Sequence, residues 1–118
     1  MDEVVDRNSL ALLKKVTSHQ LYDALLLQLR KDFKVANVNL VFKDQAKPNE
    51  VVRELYHTIN HLILHRFNDY LNLLYAVDVP EKQIKQLENN STFEIAKQVT
   101  LLILKREWQK VWFRKKYS

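Results

Sequence analysis

Glycine does not occur anywhere in this chain of 118 residues, although average usage near 7% would place roughly eight in a protein of this length. Loops that cradle phosphates, in P-loops and in dinucleotide-binding folds, need glycine so that backbone N–H groups can approach the ligand. Neither motif can form here, which removes the conventional nucleotide-binding enzymes from consideration. Where a helix end needs a left-handed residue, asparagine has to stand in for the missing glycine.

Cysteine is absent too. The chain therefore has no disulfide framework, no thiol nucleophile and no cysteine-based zinc site. It is 47% hydrophobic and 28% charged, a globular rather than a disordered composition. A chain of this length folds as one domain, residues 1–118, with a core of its own. The opening residues, Met-Asp-Glu-Val-Val-Asp-Arg-Asn, lack the apolar centre of a signal peptide. The densest apolar run, residues 99–104, falls far short of the ~18–20 residues of a membrane span. The expectation is a soluble, cytoplasmic protein that needs no cofactor.

The periodicity is helical. Val4, Val5, Leu10, Leu13 and Val16 suggest a short or irregular first helix. Thr17-Ser18 offers an N-cap for a second, in which Leu21, Tyr22, Leu25, Leu26, Leu29 and Phe33 recur at three- and four-residue steps. That pattern fades at Asn37 and Asn39, candidate left-handed terminators. Residues 38–43 are partly alternating and β-branched, but one strand has no partner within the chain, so they read as an extended connector. Pro48 opens a long central helix, about 48–77. On it Val52, Leu55, Ile59, Ile63, Phe67, Tyr70 and Leu74 share one side at ~100° per residue. Asp78-Val-Pro-Glu81 and Ser91-Thr-Phe-Glu94 read as capping boxes. The first opens a short helix ending near Asn89-Asn90. The second opens a long C-terminal helix, about 91–117. The fold expected is an all-α bundle of four to five helices.

His57, His61 and His65 lie at four-residue spacing, three residues after Glu54 and four before Asp69. Imidazoles at i and i+4 project from adjacent turns and can chelate a divalent metal, and Glu54-x-x-His57 has the spacing of di-metal carboxylate bundles. Those bundles need inward-facing ligands and carboxylates from other helices. Here the ladder occupies the polar face, no second Glu-x-x-His exists, and each step drifts ~40°. A solvated helix face is the preferred reading. A metal site on Glu54, His57, His61 and His65 and a pH-sensitive interface are the alternatives. Ser18-His19 are neighbours without a reason to face each other. The carboxylates Asp23, Asp32, Glu88, Glu94 and Glu107 show no spacing that forces an acid–base pair.

Charge is the other localised feature. Of nineteen Lys and Arg residues, six lie in residues 105–118 beside a single Glu, so this segment carries the whole net charge of +5. Charge that concentrated speaks of association rather than of fold. The segment also holds both tryptophans. On a helical wheel Leu101, Leu104, Trp108, Val111 and Trp112 cluster with Phe93 and read as core. Arg106, Gln109, Lys110, Phe113 and Tyr117 fall on the other side, flanked by Lys105 and Lys116. Cations mixed with aromatic faces suit a polyanion or a membrane surface, and cations at a helix C-terminus also favour the macrodipole. A helix-turn-helix reader is excluded: the second helix would start with Ser91, Thr92, Phe93 and Glu94, and the cations lie ~20 Å or more away.

The first functional reading is a small non-enzymatic interaction module, self-associating, with Arg106, Lys110, Arg114, Lys115 and Lys116 as contact surface. The runner-up is weakly sequence-dependent nucleic-acid binding through the same cations with Phe113 and Tyr117. Metal binding on the histidine ladder is third. The near-continuous apolar character of residues 99–104 and 70–75 motivates the homodimer.

Overall fold

The computed structural model describes residues 5–87 and 89–117. Val4, Glu88 and Ser118, and the acidic residues before Val4, lie outside them. Among the described residues there are six α-helices and no strand. They are α1 (Arg7–Ser18), α2 (Tyr22–Val35), α3 (Pro48–His65), α4 (Phe67–Val77), α5 (Glu81–Lys85) and α6 (Thr92–Tyr117). The 26-residue α6 is the central strut, packing most extensively on α3 and also on α1, α2 and α4.

One core runs between these helices. Leu13 and Val16 of α1, Leu25, Leu29 and Phe33 of α2, Val52, Leu55 and Ile59 of α3, Leu73 and Val77 of α4, and Ile103 and Leu104 of α6 are fully enclosed. Burying a side chain of this size is worth about 1.5–3 kcal/mol against leaving it in water. That accumulated burial, rather than local propensity, holds the short helices in place.

The absence of glycine is met at three helix ends. Gln20 (φ 60°), Asn37 (φ 60°) and Asp78 (φ 69°) all adopt the left-handed conformation. In each case the following N–H donates back across the end: Leu21 to the Val16 carbonyl at 3.1 Å, Val38 to that of Phe33 at 2.8 Å, and Val79 to that of Leu74 at 3.1 Å. This is the six-to-one bond of a Schellman motif, formed here by residues that carry a Cβ.

Several local expectations change. Asp78 is not the N-cap of the next helix; it closes α4 in the left-handed conformation, and Pro80 precedes the five-residue α5. Thr17 and Ser18 do not cap α2. They sit in the last turn of α1 and donate to the carbonyls of Leu13 and Lys15, while α2 begins after the turn at Gln20. The α1 cap is Asp6, which accepts from the Ser9 N–H at 3.1 Å. Of the second box, Ser91 does accept from the Glu94 N–H at 3.2 Å.

The central helix is interrupted at Arg66 (φ −143°, ψ 61°), which separates α3 from α4. A straight helix over residues 48–77 would be about 45 Å long at 1.5 Å per residue, longer than the 37 Å of the molecule's greatest dimension. Breaking it lets α4 fold back against both α2 and α3. The break also shifts the buried stripe. Tyr70, Leu73, Leu74 and Val77 turn inward, whereas Phe67, assigned to the core side by periodicity, is 53% exposed.

Residues 38–43 form the extended connector expected of them. It is fastened to α2 by Arg30, whose guanidinium donates to the carbonyls of Phe42 and Lys43, stacks 4.6 Å from the Phe42 ring centre and pairs with Asp44. Tyr22 Oη secures the far end by donating to the Ala46 carbonyl at 2.6 Å.

Candidate functional site

The basic C-terminal half of α6 is held down by its own chain. Arg106 donates to the Asp78 carbonyl at 3.1 Å and pairs with the Asp78 carboxylate at 3.0 Å. Arg114 donates to Gln28 Oε1 at 2.7 Å, and Lys115 Nζ reaches the His19 carbonyl at 3.4 Å. Lys110 turns inward instead of outward: its Nζ lies 2.7 Å from Asp32 Oδ2 and 3.4 Å from the Ala76 carbonyl. Four of the five cations of the expected contact surface thus tie α6 to α1, α2 and the end of α4. Phe113 and Tyr117 remain exposed and stacked, ring centres 6.0 Å apart, with Lys116 Nζ 5.7 Å from the Tyr117 ring.

The tryptophans line the opposite edge of α6. Trp108 packs against the core and Trp112 lies at its margin. Together they enclose the His19 ring, at centroid distances of 5.5 and 5.0 Å. Phe93, at the other end of the helix, lies edge-on to Tyr56 at 5.5 Å.

Beneath Lys110 lies a buried acid pair that spacing alone did not disclose. Asp32 of α2 and Glu107 of α6 both belong to the interior, and Glu107 has no exposure at all. Lys110 Nζ is 3.3 Å from Glu107 Oε1 without making a hydrogen bond to it. As a carboxylate, Glu107 would therefore be a buried charge with no donor in line. As a carboxylic acid it has an acceptor at hand in Asp32. Burial pushes its pKa up to about 9, and the shared hydrogen bond and the negative charge of Asp32 add to the rise against the opposing Lys110 charge. Burial also works against ionisation of Asp32. Hydrogen bonds from Glu107, Lys110 and Gln28, the last at 3.1 Å, together with the Lys110 charge, outweigh it and hold Asp32 below the usual carboxylate range. Both directions favour a proton on Glu107 and a charge on Asp32 against Lys110. One signal for this cluster was legible in the chain: Glu107 stands three residues after Leu104 and four before Val111, on the apolar stripe itself.

The histidine ladder stands on the outer face of α3. His57, His61 and His65 are exposed, and the rings of His61 and His65 approach to 5.0 Å between centres. The connector runs beside this face, so that Glu54, His57, Thr58 and His61 line an open groove with Val38, Asn39 and Arg66. His65 is not part of that groove. Among the described residues no three His, Cys, Asp or Glu side chains converge on a position that would hold a metal ion.

A different surface emerges on α4. Phe67, Leu71 and Tyr75 are 53%, 46% and 89% exposed and succeed one another every four residues, which aligns them along one face. Beside them the C-terminal end of α2 exposes Val35. Between the two helices lies an open groove of about 540 Å³, lined by Val35, Ala36, Asn37, Asp69, Asn72, Tyr75 and Ala76. Single exposed apolar side chains are ordinary; here three stand in one row beside a groove.

No protein-family model, no curated protein and no solved structure matches this chain. Among the described residues no helix is long and apolar enough to cross a membrane.

Proposed function

We propose that this chain is a non-enzymatic helical interaction module of the cytoplasm, acting by presenting a surface to a protein partner. The observation that carries this reading is the aligned exposure of Phe67, Leu71 and Tyr75. The groups with chemical potential are engaged elsewhere: Glu107, Asp32 and Lys110 neutralise one another in the interior. Arg106 and Arg114 are occupied by Asp78 and Gln28.

Photo-crosslinking amino acids placed at Phe67 or Leu71 in intact cells test the reading, with Gln98 on α6 as control position. The expected result is a discrete protein adduct from α4 positions alone. Its identity is then checked by reconstitution with the purified components, in which Leu71→Glu abolishes binding. Adducts absent from both α4 positions, or equally frequent at Gln98, refute it.

A second reading, polyanion binding, keeps the support of Phe113, Lys116 and Tyr117, which stay at the surface as a stacked, cation-flanked pair. Its mark is retention on heparin that falls steeply with salt and is lost in the surface variant Lys105→Glu with Lys116→Glu.

A further inference from the structure

The exposed face of α4 carries both halves of an isologous contact, and from this we infer that its occupant is a second copy of the same chain. The inference rests on the interaction-module reading and names its partner. In a two-fold interface the same patch meets itself, so it must contain a projection and a matching recess, and its charges must not repel their own images.

Both conditions are met here. The projection is Tyr75, 89% exposed at the last turn of α4. The recess is the groove of about 540 Å³ between α2 and α4, floored by Ala36 and Ala76 and flanked by Asp69 and Asn72. An antiparallel pair of α4 helices crossing at Leu71 sets each Tyr75 opposite Phe67 and Asn68 of the other copy, one turn from Asn72 on the rim of its groove. There its ring lies against Phe67 and its phenol faces the Asn68 and Asn72 amides. Asn68 and Asn72, beside the stripe, carry no charge.

Electrostatics select this face over the end of α6. The 11 residues of α4 include one charged side chain, Asp69, and Arg66 neutralises it at 2.6 Å. Bringing two copies of the end of α6 together would instead set like charges against each other, because Lys105 and Lys116 face no acid among the described residues even after Asp32 and Asp78 balance Lys110 and Arg106. An acidic protein partner would prefer the basic end of α6, whereas a near-neutral apolar face is what a basic protein can present to its own copy.

The area is sufficient. With aromatic side chains presenting about 150–250 Å² each, Phe67 and Tyr75 at their observed exposures offer roughly 300 Å² per copy. Leu71, Val35, Asn68 and Asn72 extend this towards the ~600 Å² per partner at the lower edge of specific interfaces. A reversible dimer of micromolar affinity is the expectation.

Sedimentation equilibrium of the full chain, up to roughly 100 µM, tests the inference. The wild type should dimerise, and Leu71→Glu and Tyr75→Ser should each weaken the dimer by about tenfold or more. Lys105→Glu with Lys116→Glu should leave it unweakened. Because the chain has no cysteine, Leu71→Cys supplies an independent readout: close to the two-fold axis it should oxidise to a covalent dimer, while Gln98→Cys should not. A wild-type monomer throughout overturns the second copy, and the interaction reading then stands or falls on the α4 crosslinks to another protein. A dimer indifferent to both α4 substitutions, or one abolished by the α6 substitutions, overturns the assignment of the surface.

Discussion

Replacing Glu107 by Gln should stabilise this protein, by an amount that grows with pH. Glu107 is fully buried and its pKa is raised from 4.5 to about 9. Between those two values the unfolded chain has released the proton that the folded chain retains. Unfolding stability therefore falls as pH rises, by about 1.4 kcal/mol per pH unit. The stability tied to the protonated acid is complete below pH 4.5, is lost progressively above it, and levels off once the folded carboxyl itself ionises near pH 9. Gln has no proton to lose in either state. Its Nε2 can donate to Asp32 in place of the acid O–H, and its Oε1 can face Lys110, so the packing is preserved. Glu107→Gln should match the wild type near pH 4.5 and exceed it by about 3 kcal/mol at pH 7, a large share of a typical 5–15 kcal/mol total. Asp32 titrates in the opposite sense: lowered in the fold, it contributes stability above its ordinary value of 3.8 that disappears as pH falls below it. Both proteins keep Asp32, so their acid limbs should coincide. Urea unfolding followed by circular dichroism at several pH values between about 5 and 9 measures the difference directly. Parallel stability curves for the two proteins would refute a proton held by Glu107, and a substitution that destabilises at pH 7 would refute the donor role assigned to it.

Three further outcomes follow from the same geometry. Lys110→Met removes the counter-charge 2.7 Å from Asp32 and should cost about 3–5 kcal/mol, with most of it recovered when Asp32→Asn is added; equal losses in the single and double variants in urea would show that the ion pair is not the cause. Gln20→Gly relieves a left-handed residue at φ 60° and should raise stability by about 1 kcal/mol, with a smaller gain for Asn37→Gly because asparagine tolerates that conformation; an unchanged urea midpoint for both would contradict the assigned strain. His57→Ala with His61→Ala should leave the melting temperature unchanged with and without zinc, since among the described residues no third ligand converges on the pair. A zinc-dependent rise in the wild type that the double variant loses would reinstate the metal site.

What could be read from the chain alone follows from what is local in it. Helical periodicity, the termination at Asn37 and the Ser91 cap depend on neighbours a few residues away, and each is found. The break at Arg66 was invisible because nothing in its vicinity forbids a helix: no proline or glycine stands there, and the reason lies in the size of the globule and in where α2 waits to be covered. The two readings of Asp78 were decided in the same way. As part of Asp-Val-Pro-Glu it is a plausible N-cap, but the preceding helix needed a left-handed terminator, no glycine was available, and a carboxylate there also meets Arg106 from 28 residues away.

The charge concentrated in residues 105–118 illustrates a deeper limit of reading charge along a chain. Counted in sequence, those residues hold the whole net charge. Counted in space, the acids that balance several of them come from elsewhere: Asp32 from α2 for Lys110 and Asp78 from the end of α4 for Arg106. A helix wheel could place Lys110 on the outward side because a wheel has no knowledge of what stands opposite. Once Asp32 is buried beside Glu107, leaving it unpaired would cost several kcal/mol, and that cost outweighs any preference of a lysine for water. The polar residues of α6 are therefore divided by the carboxylates that face them rather than by their own spacing. With the cations so committed, the aligned apolar surface left without an internal partner among the described residues is the row Phe67, Leu71 and Tyr75 of α4, and the apolar composition of residues 70–75 is what made a partner expected there. The turn at Arg66 adds Phe67 to it, and an exposed stretch with the composition of an interior is what two copies of a basic protein can share.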